Sequence, residues 1–588
     1  VKVPEQARAG LYQGTLKLSG DGYSANVPIE LQVFDFTMPS KPHLQTAWGF
    51  SFGSVARYQN LNKLEDREKA FDLCMQNFRD HRIAPYNFFQ LAPIDVKVLG
   101  ANWHGGEVVE GEASSGTHSL KIVDDSDKAV VEAGPSAKMP IEPGATYKLS
   151  WAIKTAKAGQ PYHLTLGCSD ANGQWFSGRN IDLGFTGSGQ WERQEVTLTP
   201  DRFPEGCVAV DMALRPAPWS EKGEQTGTCW YDDLFFGKPG GANLVADPSF
   251  ELGSAQVSVK IDWTAFDKAA KRYLDDFGFS SFVLPVQFLP WGRTPDFHKG
   301  QLGPFQQGTP EYSRLFKDYM RQLQTHLERN GWLDKAFIYW FDEPEPSDYE
   351  FCKSTFQMLK DAAPKITRML TEQPEAAIAG DINLWCPVTP AYDAKACHDR
   401  QKLGERIWWY VCTGPKAPLA GLFIDHGATD LRAWMWQTWQ NDVQGCLVWE
   451  STWWDGGKAP QGVQNPWTDP MGWTPDGGTW GNGDGRFLYP ANQDYPNDKR
   501  AYVEGPVDSI RWEMLREGLE DWEYLYLLRE AINKKVPGSA QFAPLLQVPS
   551  NISEDMANFC REPQPIYAQR ARLAAALEKL QVDKLGVK

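Results

Sequence analysis

At 588 residues the chain is too long for one hydrophobic core, so two to four domains are expected. Hydrophobic residues make up 42% and charged residues 23%, ordinary for a folded protein, and no apolar run approaches the ~18 residues of a membrane span. A net charge of −16 without a Lys/Arg cluster gives a nucleic-acid backbone nothing to hold, which argues against that class of partner.

The ten cysteines include no CxxC pair and the nine histidines no HExxH or CxxC…HxxxH spacing, so a zinc site is not signalled and no metal is expected for catalysis. Cys168, Cys207 and Cys229 share one segment and either pair or stay reduced. Tryptophan stands out with 25 residues, and aromatic faces suit both β-rich cores and stacking on sugar rings. The chain opens on Val1 with no charged and apolar leader, so a signal or an N-terminal segment is expected to be missing.

Residues 1–40 read as a short N-terminal β segment, two alternating strands broken at Gly20–Asp21–Gly22. From residue 41 short apolar runs alternate with amphipathic helical stretches, the mark of a parallel α/β sheet. Eight candidate strands follow: Leu44–Phe50, Ile83–Phe89, Ser280–Val286, Ala336–Phe341, Ile366–Leu370, Ile382–Pro387, Arg406–Cys412 and Gly445–Glu450. Helices are expected near 64–81, 264–277, 310–330, 347–362, 390–402, 429–441 and 507–531, with no room for one between Thr371 and Gly380. The expected fold class is therefore α/β, a (β/α)8 barrel over 41–91 and 258–535. Residues 92–257 interrupt it with alternating strands such as Tyr147–Ile153, His163–Leu166 and Glu195–Leu198, the pattern of an inserted β-sandwich. Residues 536–588 read as a C-terminal helical extension.

The run AFIYWFDEP (Ala336–Pro344) carries the chemistry. Six apolar residues fit a strand buried on both faces, and Asp342 and Glu343 follow at its C-terminal end, where barrel enzymes place catalytic groups. Neighbours in a strand point to opposite faces, so both acids enter one pocket only if the pleat ends there. Pro344 is expected to end it, biasing Glu343 toward extended or polyproline backbone angles. The alternative is that the acids simply begin the following helix, although Pro346 and Ser347 already offer that start.

The FDEP run, GDGRFLYP (Gly483–Pro490) and SIRWEMLREGLEDWEYLYLL (Ser509–Leu528) resemble the glycoside hydrolase 123-type β-N-acetylgalactosaminidases and their associated domain DUF4091. HRIAPY (His81–Tyr86) and FIDHGATDLRAWMWQTW (Phe423–Trp439) fit the same pattern. The resemblance implies a retaining, substrate-assisted hydrolase of β-linked N-acetylgalactosamine in a GalNAc-containing glycan, secreted or periplasmic. Asp342 would orient the acetamido group, and Glu343 would be general acid and then base. Tyr410, Trp385, Trp449, Glu450 and Asn87, near predicted strand ends, are candidates for substrate binding, with Glu372 beside Pro374 a weaker one. Tyr410 also reads as strand core. The alternatives are a broader β-N-acetylhexosaminidase and a carbohydrate-binding protein without catalysis.

SGTHSLKI (Ser115–Ile122), WYDDLFF (Trp230–Phe236) and NLVADPSFE (Asn243–Glu251) resemble jelly-roll carbohydrate-binding modules in permuted order. That likeness implies a structural calcium at Asp233 and Glu251, although both acids also read as solvated strand-end groups. Trp175, Trp191 and Trp219 read as either core or sugar platform. The long Trp-rich segment 451–504 follows the eighth strand and should wall or cover the active-site face. Trp512, Leu515, Leu519, Trp522 and Tyr526 recur at helical spacing and read as core.

Overall fold

The computed structural model describes residues 3–582 apart from 5, 101, 127–128, 224, 252–256, 304 and 456–461. A seven-stranded parallel sheet organises it, built from Phe282–Val283, Ala336–Tyr339, Thr367–Leu370, Leu384–Trp385, Arg406–Tyr410, Gly445–Val448 and Gln45–Trp48 in that spatial order. Residues 84–86 span the gap between its edges. Trp48 donates to the Ala84 carbonyl, Tyr86 to the Trp48 carbonyl and Val283 to the Tyr86 carbonyl. The sheet is thereby nearly closed and barrel-like, and all eight strand regions expected from the sequence contribute, the second through a single bridge to Pro85.

It departs from a regular (β/α)8 pattern where the sequence had no room for a helix. Thr371–Asn383 crosses between strands as turns. Elsewhere the helices stand where the periodicity placed them, among them Leu64–Asp80, Pro310–Asn330, Tyr349–Ala362, Ala428–Gln440 and Ile510–Asn533. Their ends have local causes. Thr309 caps the 310–330 helix by accepting from Tyr312 N–H, Pro310 fills its first turn, and Gly331 leaves at φ = 72°.

The pleat sorts side chains into two cores. Ala47, Phe337, Met369, Leu384, Cys386, Trp408, Tyr410 and Leu447 fill the barrel interior. Their strand neighbours Trp48, Ile338, Leu370, Trp385, Ile407, Trp409 and Cys446 face the helices. The alternation decides which side chains can see the barrel mouth.

Residues 107–237 hold two antiparallel sheets of five and four strands around their own core of Leu149, Trp151, Leu164, Leu166, Val210, Tyr231 and Phe236. The strand His118–Asp124 pairs with Gly227–Gly237, so the beginning and end of this region lie side by side. A two-stranded ribbon, Asp95–Leu99 against Ser258–Asp262, joins the region to the barrel. All ten cysteines are free thiols. At the N-terminus Gly10–Gly20 pairs with Tyr23–Val33 through the Asp21–Gly22 turn. Both strands are largely exposed.

The 510–533 helix packs Trp512, Leu515, Leu519 and Trp522 into the barrel core, with Tyr526 partly buried against it. Asp521, also on it, receives both Arg432 Nε at 2.7 Å and Arg432 Nη2 at 3.0 Å, and Trp436 Nε1 at 3.0 Å. Removing one side of a buried pair strands the other charge in low dielectric. Asp521→Ala is expected to destabilise the protein by about 3–5 kcal/mol, measured by urea denaturation.

Candidate active site

The strand that carries the acid pair stops earlier than its apolar run suggests. Phe337 and Tyr339 point into the barrel, and continued alternation would send Phe341 there too. Phe341 instead packs among the helix-facing residues, so the pleat has broken after Tyr339. Glu343 then adopts φ = +43°, the left-handed side of the backbone map, rather than the extended geometry expected before Pro344. For a non-glycine residue this conformation costs roughly 1–2 kcal/mol and needs support.

Thr371, at the end of the neighbouring 367–370 strand, supplies that support. Its hydroxyl donates to Asp342 Oδ1 at 2.7 Å and accepts the Glu343 N–H at 2.9 Å. Tyr339 donates to the same Asp342 oxygen at 2.6 Å. Below the turn, Arg293 donates to the Asp342 carbonyl at 2.9 Å and to buried Asp348 at 3.0 Å. Asp348 in turn accepts Glu345 N–H at 3.1 Å, which starts the following helix. The helix therefore has its own cap, and Asp342 and Glu343 are exposed at the barrel mouth.

Tyr410 comes up from the interior and its hydroxyl donates to Glu343 Oε1. Burial, followed by this carboxylate, raises the Tyr410 pKa, so the phenol stays protonated and donating. Glu372 lies beside the pair, its pKa pushed up to about 7 by burial and then by the charges of Glu375, Glu343 and Glu345.

Two expected contacts go elsewhere. Trp385 is fully buried on the helix-facing side, where its indole N–H donates to Glu405 at 2.6 Å, so it does not reach the barrel mouth. The parity of its strand sends Leu384 and Cys386 inward instead. Glu450 is buried, and its Oε1 accepts Ser451 N–H at 2.8 Å and Thr452 N–H at 2.9 Å. That carboxylate fixes the turn out of its strand rather than a ligand. Asn87 is half-buried beyond the 84–86 segment, where its Oδ1 accepts Phe89 N–H at 2.9 Å.

Trp449 remains partly exposed at its strand end and forms an aromatic cluster with Trp453 and Trp480 of the long loop, at 5.2 and 5.1 Å between centroids. Its indole N–H donates to Asp484 Oδ1 at 3.1 Å. Asp484 is buried, burial raises its pKa, and its Oδ2 has no hydrogen-bond partner. Gly483 and Gly485 hold it there at φ = +77° and +65°, and a Cβ on Gly485 would lie 2.7 Å from Trp449. The other loop tryptophans are packing groups. Trp454, Trp467 and Trp473 donate to the Leu488 carbonyl, the Pro490 carbonyl and Asp469.

In the sandwich region Glu251 accepts from Thr117 N–H at 2.7 Å, His118 N–H at 2.8 Å and the Thr117 hydroxyl at 2.9 Å. These bonds, the two backbone ones above all, lower its pKa to about 2. Asp233 accepts from the Ser115 hydroxyl at 2.6 Å and faces Arg193 at 3.7 Å. Glu251 is thus held by backbone and side-chain donors, and Asp233 by the Ser115 hydroxyl. Trp175 and Trp219 are exposed, while Trp191 donates to Glu112 at 2.9 Å.

Residues 254–528 match the family model described as glycoside hydrolase 123, catalytic domain. They are a glycoside hydrolase 123 catalytic domain. The range holds both acids, Thr371, Tyr410 and the Trp449 cluster, but starts after the first two barrel segments. Among solved structures, a family 123 glycoside hydrolase from Clostridium perfringens, described for glycolipid glycan hydrolysis, is 12% identical with a TM-score of 0.34, covering 83% of this chain and 99% of its own. A xylan-binding CBM22 domain from Paenibacillus barcinonensis is 21% identical with a TM-score of 0.20, covering 24% of this chain and 93% of its own. A CBM61 domain in complex with β-1,4-galactotriose is 14% identical with a TM-score of 0.16, covering 26% and 92%. No curated protein matches the chain. Among the described residues no helix is long and apolar enough to cross a membrane.

Two tests follow from the glycoside hydrolase geometry. Thr371→Val keeps the shape and removes both hydroxyl bonds, and is expected to lower kcat about 10²-fold while circular dichroism stays unchanged. Because the folded-state pKa of Glu372 is raised, its ionisation costs stability as pH climbs from 4.5 through about 7. Glu372→Gln is therefore expected to be more stable than wild type at pH 8 and close to it at pH 4, measured by thermal unfolding.

Proposed function

We propose that the domain hydrolyses β-linked N-acetylgalactosamine with retention, using the substrate's own acetamido group as nucleophile. The observation that carries this reading is the division of partners between the two acids. Asp342 Oδ1 takes hydrogen bonds from Tyr339 and Thr371, which fix the carboxylate and leave Oδ2 for an acetamido N–H. Glu343, one residue on and turned by its left-handed backbone, is held at Oε1 by Tyr410 and keeps Oε2 for proton transfer.

In the first step the Glu343 carboxyl gives its proton to the glycosidic oxygen as the bond from that oxygen to the anomeric carbon breaks. The acetamido carbonyl oxygen attacks the same carbon from the other face, forming an oxazolinium ion whose N–H is held by Asp342. Glu343, now a carboxylate, takes a proton from water, which opens the ring and restores the β configuration. No enzyme-linked sugar is needed, so adjacent acids suffice where the usual pair would sit across the ring.

The Trp449, Trp453 and Trp480 faces suit the C–H side of a sugar or the acetamido methyl. Asp484, with its unpartnered oxygen among them, would accept from a ring hydroxyl. A secreted or periplasmic setting agrees with an extracellular glycan as substrate.

Glu343→Gln is expected to lower kcat by about 10²- to 10⁴-fold. The loss should be larger on a GalNAc-ended oligosaccharide than on nitrophenyl β-GalNAc, whose leaving group needs little protonation. The wild-type enzyme should be inhibited by a GalNAc-thiazoline and should prefer nitrophenyl β-GalNAc to the GlcNAc epimer. Indifference to the thiazoline would remove the acetamido mechanism, and equal rates on both epimers would make the enzyme a broader hexosaminidase.

A further inference from the structure

The HRIAPY motif begins on a histidine that the proposed reaction leaves unused. His81 caps the C-terminal end of the 64–80 helix, on the N-terminal side of the 84–86 barrel segment, whereas Asp342 and Glu343 follow the C-terminal end of theirs. It is 4% exposed. Its Nδ1 lies 2.8 Å from the Asn77 carbonyl, which can only accept, so Nδ1 carries the proton and Nε2 presents its lone pair when the ring is neutral.

Nε2 makes no hydrogen bond. It points between Glu513 Oε1 at 3.5 Å and Asp508 Oδ2 at 3.7 Å, too far for a hydrogen bond to either. Two ligand atoms bonded at 2.0–2.2 Å to one tetrahedral metal lie about 3.4 Å apart, close to both separations. Each ligand is also held from behind. The Asn77 side chain donates to Asp508 Oδ1 at 2.6 Å, leaving Oδ2 toward His81, and Arg516 bonds Glu513 Oε2 at 2.7 Å, leaving Oε1. Asn77 is itself fixed by the Trp512 indole N–H at 2.8 Å. Such outer partners orient the ligands of bound metals.

We propose that His81, Asp508 and Glu513 bind a transition-metal dication of the zinc class, with water at the fourth position. The imidazole favours this class over calcium, and the two carboxylates balance the charge of the dication. Both carboxylates are about one-third exposed, which gives the ion a way in. The site is structural. It ties the second barrel segment to the long helix more than 400 residues further along the chain, on the side of the sheet away from the acid pair.

The test uses the full chain dialysed against chelator and titrated with zinc chloride, with Asp508→Asn, Glu513→Gln and the double variant alongside. Wild type is expected to bind one equivalent and to gain several degrees in its unfolding midpoint. Each single variant should bind at least tenfold more weakly, and the double variant should show no midpoint gain. Cobalt(II) in wild type should give visible absorption bands of a four-coordinate site that the double variant lacks. Hydrolysis should be the same in all four proteins. Zinc binding equal in wild type and double variant, no binding by wild type, or an equal response to calcium would overturn the proposal.

Discussion

One hydroxyl joins the two halves of the turn that carries Asp342 and Glu343. Thr371 donates to the carboxylate of one acid and accepts from the backbone N–H of the next, so it fixes a side chain and a main-chain turn at once. Its bond to the Glu343 N–H supports the backbone at φ = +43°, where the pleat has already failed after Tyr339. The left-handed residue is what lets sequence neighbours share one side. A regular strand would place them on opposite faces, and a regular helix would turn them about 100° apart. Arg293 adds a brace from below by binding the Asp342 carbonyl and buried Asp348, linking the strained turn to the start of the next helix.

The same logic extends to the long loop over the barrel mouth. A surface excursion of that length should be mobile unless its backbone groups find partners. Two buried arginines provide them. Arg486 donates to the Trp453 and Asp469 carbonyls and to Gln464, and Arg511 donates to the Leu422, Gly483 and Arg486 carbonyls. Their charges are spread over carbonyl oxygens rather than spent on one carboxylate, which leaves Asp484 buried with an open oxygen beside Trp449. A polar group left unsatisfied in this way costs stability, and a ligand hydroxyl that satisfies it recovers that cost on binding.

Much of this was legible in the sequence, and the failures share a cause. Apolar runs found all eight strand regions, and helical spacing found the core face of the 510–533 helix, because both depend on local periodicity. The position of Asp342 and Glu343 just beyond a strand was legible from the apolar run before them. Trp385 misled because nearness to a strand end says nothing of parity, and the pleat turns it to the helices. Glu450 misled because a carboxylate just past a strand can satisfy backbone N–H groups as well as bind substrate. Pro344 drew attention to the right position with the wrong geometry. The true constraint on Glu343 came from Thr371, on another strand, and no spacing rule relates residues across a parallel crossover. Asp484 had a local signal, an acid between two glycines in GDGRF, but its meaning needed the neighbouring indoles.

The insertion sets the remaining physical problem. The first two barrel segments lie before the sandwich and the other six after it, so barrel closure must bring together chain parts separated by a region with its own core. The 95–99 and 258–262 strands solve half of it. By pairing antiparallel they return the chain to within one ladder spacing of where it left, so the insert adds little closure entropy to the barrel. The other half is the N-terminal part of the barrel, which precedes the matched family range. It is secured late in the chain, where Glu523 of the long helix meets both His43 and Arg82, and Asn77 meets Asp508 and Trp512. The signature helix is therefore a clasp. Its apolar face closes the barrel wall while Glu523 and Trp512 hold His43, Arg82 and Asn77, residues that lead into the first and second strand regions.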